Sequence, residues 1–172
     1  ERYEGEKAKL NNVTISNVYA EVPAGKPDAG YEYEGPVEDL PRNISPASIT
    51  GLPGQYVTNV TLKNITIVYP GGGNPNYAKV GTDAKSLNAI PEMPKAYPEF
   101  SQFKELPAWG FYIRHAKGIT FDNVTLTAEK PDYRPAIVLD DVHGGDLENV
   151  TINDPGKKKN EIVVFQSTDI KK

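Results

Sequence analysis

Residues 110–154 carry one pattern of apolar and polar positions twice. Residues 111–115 align with residues 137–141, and the same step along the chain then aligns Asn123 with Asn149. We call this step, the number of residues from Asn123 to Asn149, the repeat length. Each copy contains three short runs of β-favouring residues separated by small or polar residues. Short strands that recur at a fixed spacing of about 20–50 residues are typical of solenoid proteins. The pattern predicts an all-β chain in which each copy is one triangular coil of a parallel β-helix.

Alternation along the first run of each copy assigns its side chains to two faces. The residues predicted to point into the coil are Phe111, Ile113, Ile137 and Leu139. The residues predicted to point outward are Tyr112, Arg114, Val138 and Asp140. Because Arg114 and Asp140 are one repeat length apart, we expect them to stack on adjacent coils. Their exposed ion pair would contribute little to stability.

An asparagine separates two β-favouring runs at four places in the chain: Asn17, Asn64, Asn123 and Asn149. Asparagine tolerates the left-handed backbone conformation that a sharp bend requires. Its side-chain amide can also bond to its neighbours along a stack. We predict that the four residues occupy one corner of successive coils and form an asparagine ladder.

The uneven spacing of these asparagines predicts two long inserted loops. The first covers approximately residues 23–46 and the second approximately residues 70–109, and both are rich in proline and glycine. Loops of this length in a compact fold are usually functional or disordered, and the aromatic residues in these two favour packing over disorder. A short helix is predicted near residues 99–106.

Length, charge and cysteine content restrict the function classes. The 172 residues predict a single domain, a partial β-helix over residues 1–172. The net charge of -4 argues against nucleic-acid binding, which needs a clustered basic surface. The chain has no cysteine, and no apolar run approaches the about 18 residues of a membrane helix. Residues 1–9 offer no apolar cap, so we expect further coils of the same protein to precede this chain.

Three segments, residues 22–36, 49–72 and 90–126, are similar to the C-terminal part of polygalacturonase-like proteins of glycoside hydrolase family 28, of the Bacteroidetes type. The likeness covers nearly the whole chain, and the stretch that leads into residues 110–115 is its most specific part. The resemblance implies a right-handed parallel β-helix and a secreted, periplasmic or cell-surface location. It also implies hydrolysis of pectin-type polysaccharides with inversion.

The catalytic signature of that family consists of Asn-Thr-Asp, Asp-Asp, Gly-His-Gly and Arg-Ile-Lys, in this order. Only an Asp-Asp is present here, Asp140 and Asp141, and it lies in nearly the last coil rather than upstream. Adjacent side chains on a strand diverge, whereas inverting hydrolysis needs two carboxyl groups about 6.5–9.5 Å apart that face one bond. We therefore assign no catalytic residue and expect the catalytic carboxylates on the preceding coils.

The candidate substrate-binding residues are Trp109, Tyr112, Arg114, His115 and Asp140. If the outward face of the first run binds sugar, as the resemblance implies, Tyr112 offers a ring for stacking and Arg114 a fork for a uronate carboxylate. The alternative is a solvated strand with an Arg114–Asp140 ion pair, and a tryptophan that anchors an insert. His115 and His143 are expected to lie in turns and Asp141 to cap a turn, with no metal and no cofactor.

Two hypotheses from different classes follow. In the first, the chain is the C-terminal section of a pectin-type glycoside hydrolase, inactive by itself, with an acidic polysaccharide and the preceding coils as its partners. In the second, it is a non-catalytic β-helix module that binds a saccharide or a protein through its inserts. Calcium-dependent lyase chemistry is a third reading, which only the histidines and their neighbouring aspartates support.

Overall fold

In a computed structural model of the chain, the described residues are 8–24, 45–73, 75, 80–95, 105–156 and 161–172. They form eight strands and one short helix. The strands are β1 (Asn11–Glu21), β2 (Ala47–Thr50), β3 (Val57–Gly71), β4 (Phe111–Lys130), β5 (Ile137–Asp146), β6 (Val150–Asn153), β7 (Ile162–Phe165) and β8 (Thr168–Lys171). The helix α1 (Ala84–Asn88) begins after Asp83, whose carboxylate accepts from two backbone N–H groups of its first turn.

The predicted helix near residues 99–106 falls largely outside the described residues. Within the described ranges, the structure contains no helix with the length and apolar character that a transmembrane span requires.

The strands form one parallel sheet in the order β1-β3-β4-β5-β7, with β2 and β6 also paired to β4 and β8 to β5. All of these pairings are parallel, which confirms the predicted all-β class with parallel strands. On one side of β4, Phe111 pairs with Ile137 and Val124 with Val150, and both pairs are offset by one repeat length. The predicted alignment of the two sequence copies is therefore the observed register.

Strand β4 continues for 20 residues because the chain bends without leaving the hydrogen-bonded ladder. The bends lie at His115, Gly118 and Asn123, with φ of 50°, 68° and 57°. Eight residues in register with these bends on neighbouring strands are also left-handed: Asp141, Gln166, Asn12, Asn59, Gly144, Asp169, Asn17 and Asn64. The bends therefore form three columns across the sheet. The sequence pattern predicts the turn at Gly118, the corner at Asn123 and a turn position for His115, but not that the bend at His115 is repeated in register at Asp141 and Gln166.

The column at Asn123 contains the asparagine ladder. Asn64 Nδ2 donates to Asn17 Oδ1 at 3.0 Å, and Asn123 Nδ2 donates to Asn64 Oδ1 at 3.0 Å. Asn149 continues the column through its backbone, since its carbonyl accepts from Val124 N at 3.1 Å. It is not left-handed, because it ends the turn between β5 and β6. The predicted equivalence of the four asparagines therefore holds for three of them.

The column at Gly118 contains further amide bonds that the sequence pattern does not predict. Asn59 Nδ2 donates to Oδ1 of Asn11 and of Asn12, at 3.1 Å in each case. A Cβ atom at Gly118 would lie 2.8 Å from Asn59 Oδ1. Glycine suits this position, because it adopts the left-handed backbone without strain and leaves room for this close approach.

The two faces of the first run pack into two apolar layers. The inward residues Phe111, Ile113, Ile137 and Leu139 lie in the inner core, as predicted. The outward residues Tyr112 and Val138 pack in an outer layer against Leu87, Leu106 and Ala108 of the second insert.

The outer face is therefore covered by the insert. Tyr112 is 2% exposed and Val138 is 0% exposed. The expectation of a solvated outer face is wrong, because α1 and the stretch before β4 add an apolar layer that strand alternation cannot reveal.

A buried ion pair fastens the insert to the turn after β4. Arg134, 1% exposed, donates from Nε and Nη2 to the two carboxylate oxygens of Asp132, at 2.9 Å each, and from Nη1 to the Leu106 carbonyl at 3.3 Å. Asp132 also accepts from Gly73 N at 2.9 Å. Charges buried to this degree require such pairing, since an uncompensated buried charge costs several kcal/mol.

Replacement of Asn64 tests the role of the bends. Asn64→Ala loses the two ladder bonds and places alanine, which tolerates the left-handed conformation less well than asparagine, at the bend. Asn64→Gly loses the same bonds without that steric penalty, so we expect alanine to reduce the free energy of unfolding by about 1 kcal/mol more than glycine. Urea denaturation measures the difference. Equal stability of the two variants would show that the left-handed conformation of residue 64 does not contribute to the stability difference.

Candidate functional site

Ionisable side chains gather where β4 and β5 bend at His115 and Asp141. We call this group the corner cluster, and its members are Tyr56, Glu92, Arg114, His115, Asp140, Asp141 and His143. Arg114 pairs in register with Asp140 on the outer face. The left-handed bend at the next residue of each strand interrupts alternation, so His115 and Asp141 join the same cluster.

Arg114 is largely buried, with its side chain 11% exposed. Its Nε lies 3.1 Å from Asp140 Oδ2, its Nη2 lies 2.8 Å from Glu92 Oε1, and its Nη1 donates to the Ile90 carbonyl at 2.9 Å. The predicted pairing with Asp140 is confirmed, but the pair is buried rather than exposed, because the insert covers it. A ligand carboxylate would therefore reach Arg114 Nη2 in the place of Glu92.

The two histidines share one carboxylate. His115 Nδ1 lies 2.6 Å from Asp141 Oδ2, and His143 Nε2 lies 2.8 Å from Asp141 Oδ1. The other ring nitrogen of His115 lies 3.1 Å from both oxygens of Glu92, and that of His143 lies 3.0 Å from Thr168 Oγ1. Asp141 thus orients both rings instead of only capping its turn.

Tyr56 borders the cluster at its more exposed side. Its hydroxyl donates to Asp141 Oδ1 at 3.3 Å, and its ring meets the ring of His143 edge-on, with centroids 5.7 Å apart. The ammonium of Lys117 lies 4.1 Å from the centre of the same ring, a cation–π contact. The surface of the cluster therefore combines an aromatic ring with a cation.

The neighbouring carboxyl groups of the cluster differ in their ionisation. Burial disfavours the charged form of Asp141, but hydrogen bonds from the two histidines and Tyr56 hold its pKa below the ordinary value. Burial raises the pKa of Asp140, and Arg114 and Tyr112 offset only part of that shift. Asp141 therefore stays ionised to lower pH than Asp140.

The two aromatic candidates lie in the interior. The Tyr112 ring belongs to the outer apolar layer, and its hydroxyl donates to Asp140 Oδ2 at 3.2 Å. Trp109 is 1% exposed in the inner core, where its ring meets Tyr69 edge-on at 5.7 Å. Neither ring presents a face to solvent for stacking on a sugar, and Trp109 acts as the anchor that the alternative interpretation predicts.

A cavity of about 270 Å³ opens beside Arg114. Residues 50–52, at the end of β2, and residues 90–94 of the insert line it together with Tyr112 and Arg114. The Glu92 side chain is 30% exposed there. Sequence reasoning missed Glu92 and Tyr56, because both lie outside the repeated runs and no periodic pattern connects them to β4.

The arrangement restricts the chemistry of the cluster. Within the described part of the chain, no three His, Cys, Asp or Glu side chains are placed to hold a metal ion. Asp140 contacts Arg114 and Tyr112, whereas Asp141 contacts the histidines, so the two carboxylates do not face one bond. The cluster is suited to bind an anion through Arg114 and His115 rather than to perform inverting hydrolysis.

The variant Asp141→Asn tests the ionisation of this residue. Its pKa in the folded protein lies below the ordinary 3.8, so the ionised carboxylate stabilises the fold above that pH, and the contribution is lost as pH falls through the folded-state pKa. We expect wild type to be more stable than the variant at about pH 5, and the margin to shrink as pH falls below about 3.8. Urea denaturation across pH measures it, and a margin that does not change with pH contradicts the assignment.

The chemistry of the corner cluster is the basis for assigning a function to the chain. No protein-family model, curated protein or solved structure matches the chain. The family of the chain and the ligand of the corner cluster are therefore proposed from the sequence resemblance and from the geometry of the cluster.

Proposed function

We propose that this chain forms the C-terminal coils of a right-handed parallel β-helix in a polygalacturonase-like protein of glycoside hydrolase family 28. Three features support a solenoid: the parallel pairing of the strands, the offset of one repeat length between β4 and β5, and the three columns of left-handed bends. Handedness and closure rest on the resemblance of residues 22–36, 49–72 and 90–126 to that family.

Within such a protein, the chain contributes to the binding of a pectin-type polysaccharide built of galacturonate. The observation that carries this proposal is that Arg114 Nη2 and His115 Nε2 lie 2.8 Å and 3.1 Å from the same carboxylate, that of Glu92, beside an open cavity. A guanidinium N–H beside an imidazole nitrogen suits a uronate carboxylate. Galacturonan presents such a carboxylate on each of its sugar units.

Hydrolysis belongs to other coils in this proposal, since Asp140 and Asp141 do not form an inverting pair. The described residues leave an apolar groove of about 420 Å³ uncovered beside β1, where Ile15 and Val18 are 47% and 37% exposed. A preceding coil of the same protein would cover this groove and supply the catalytic carboxylates. The secreted, periplasmic or cell-surface location follows from the same resemblance.

The second candidate function is a non-catalytic module that binds a saccharide or a protein partner. The internal engagement of Asp140 and Asp141 favours it, because both carboxylates already have partners within the chain. It differs from the first candidate in predicting no catalytic coils elsewhere in the protein.

We expect the purified chain to release no reducing ends from polygalacturonate and to bind oligogalacturonides. Arg114→Lys should weaken binding about tenfold, because a lysine ammonium cannot contact Asp140, the Ile90 carbonyl and a ligand carboxylate in the geometry of the planar guanidinium. Calorimetric titration measures binding, and circular dichroism confirms that the variant is folded. Lys63→Met, which removes an exposed cation elsewhere on the sheet, is the matched control and should bind as wild type does.

Two results contradict the proposal. Robust turnover by the chain alone would place catalysis on these residues. Equal binding of neutral galactose oligomers and oligogalacturonides would show that no carboxylate is recognised.

A further inference from the structure

We propose that Arg114 and His115 form a preorganised carboxylate-binding site that Glu92 fills in the free protein, and that a single uronate unit binds by displacing Glu92. This inference rests on the proposed binding of an acidic saccharide, and it adds the position of the ligand carboxylate and an internal competitor for it.

The contacts of Glu92 are those of a bound carboxylate. Its Oε1 lies 2.8 Å from Arg114 Nη2, and its two oxygens lie 3.1 Å from His115 Nε2. Charge-assisted contacts to a guanidinium and an imidazole are a common way for proteins to hold a carboxylate. A ligand carboxylate in the same position would find the same donors.

The donors are held from behind by the sheet. Arg114 Nε lies 3.1 Å from Asp140, and His115 Nδ1 lies 2.6 Å from Asp141, so both side chains keep a partner on β5 when Glu92 departs. Donors that do not need to be reordered lose little entropy when they bind a ligand. The site is therefore ready for a second carboxylate.

Glu92 is held less firmly than its partners. It lies on the insert, outside any helix or strand, and its side chain is 30% exposed. Pro91 and Pro94 flank it and have no backbone N–H to donate. Met93, the next residue, is left-handed with φ of 46°, which costs a residue with a Cβ about 1–2 kcal/mol. Movement of this segment would release that strain.

The cavity suits one sugar unit. Its volume of about 270 Å³ lies just below the about 300–1,000 Å³ typical of pockets for drug-sized ligands. Residues 90–94 form one of its walls, so withdrawal of Glu92 would enlarge the space beside Arg114. One uronate of a chain could then enter with its carboxylate directed at Arg114 and His115.

Removal of the internal competitor should raise affinity. When only a fraction of molecules has Glu92 displaced, the apparent Kd exceeds the intrinsic Kd by the inverse of that fraction. We expect Glu92→Ala to bind D-galacturonic acid about tenfold more tightly than wild type, and Glu92→Gln to fall between the two. The gain should be absent for D-galactose and should disappear in the double variant Glu92→Ala with Arg114→Lys.

Calorimetric titration of wild type and the variants measures these affinities. Glu148→Ala is the matched control, because it removes an exposed acid from a turn at β6 and changes the net charge equally. Glu92→Gln keeps the side-chain volume, so it still tests the proposal if circular dichroism shows that the alanine variant is not folded. Any significant gain in the affinity of Glu92→Gln for D-galacturonic acid over wild type supports the proposal.

The outcomes separate this inference from the function on which it rests. Oligogalacturonide binding that is lost in Arg114→Lys but equal in wild type and both Glu92 variants overturns the competition and leaves the function standing. The Glu92 variants can also gain as much affinity for acetate as for galacturonic acid. This result supports the carboxylate site and contradicts the saccharide assignment. Absence of any gain in a folded Glu92 variant overturns the inference.

Discussion

The in-register stacking of left-handed bends is the constraint on which the rest of this structure depends. Parallel strands can continue through a bend only if each neighbour bends at the same position, and three columns of residues meet this requirement. Asparagine and glycine occupy most of two columns, and asparagine side chains connect their strands. The third column contains His115 and Asp141, so the same backbone requirement brings ionisable groups together at one corner of the sheet.

The second insert turns the outward face of this corner into an interior. Its apolar side chains pack on Tyr112 and Val138, and Arg114 and Asp140 become buried between the layers. Buried charges need partners in fixed positions, because desolvation is otherwise uncompensated. Asp140, Glu92 and the Ile90 carbonyl supply those partners for Arg114. The side chains of the corner cluster are therefore held in fixed positions because the cluster is buried.

The partners of the cluster come from two sources that differ in rigidity. Asp140 and Asp141 belong to a strand paired along its length, whereas Glu92 lies in an irregular segment between prolines. The sheet positions the N–H donors, and the insert provides an acceptor that can be exchanged. A binding site with fixed donors and an exchangeable internal acceptor follows from this division, and it joins the proposed recognition of galacturonate to the geometry of the fold.

The sequence by itself determined the all-β class, the parallel pairing at an offset of one repeat length, the inward face of the first run and the asparagine ladder. These features repeat along the chain, and periodicity encodes what each residue shares with its equivalent one repeat length away. It also determined the Arg114–Asp140 pair, because stacking follows from the same offset. Only the tertiary structure decided that this pair is buried, that Asp141 joins two histidines and that Glu92 completes the site. These contacts link the repeat to an insert whose sequence is not periodic. Their strength depends on burial, which a local sequence pattern does not predict.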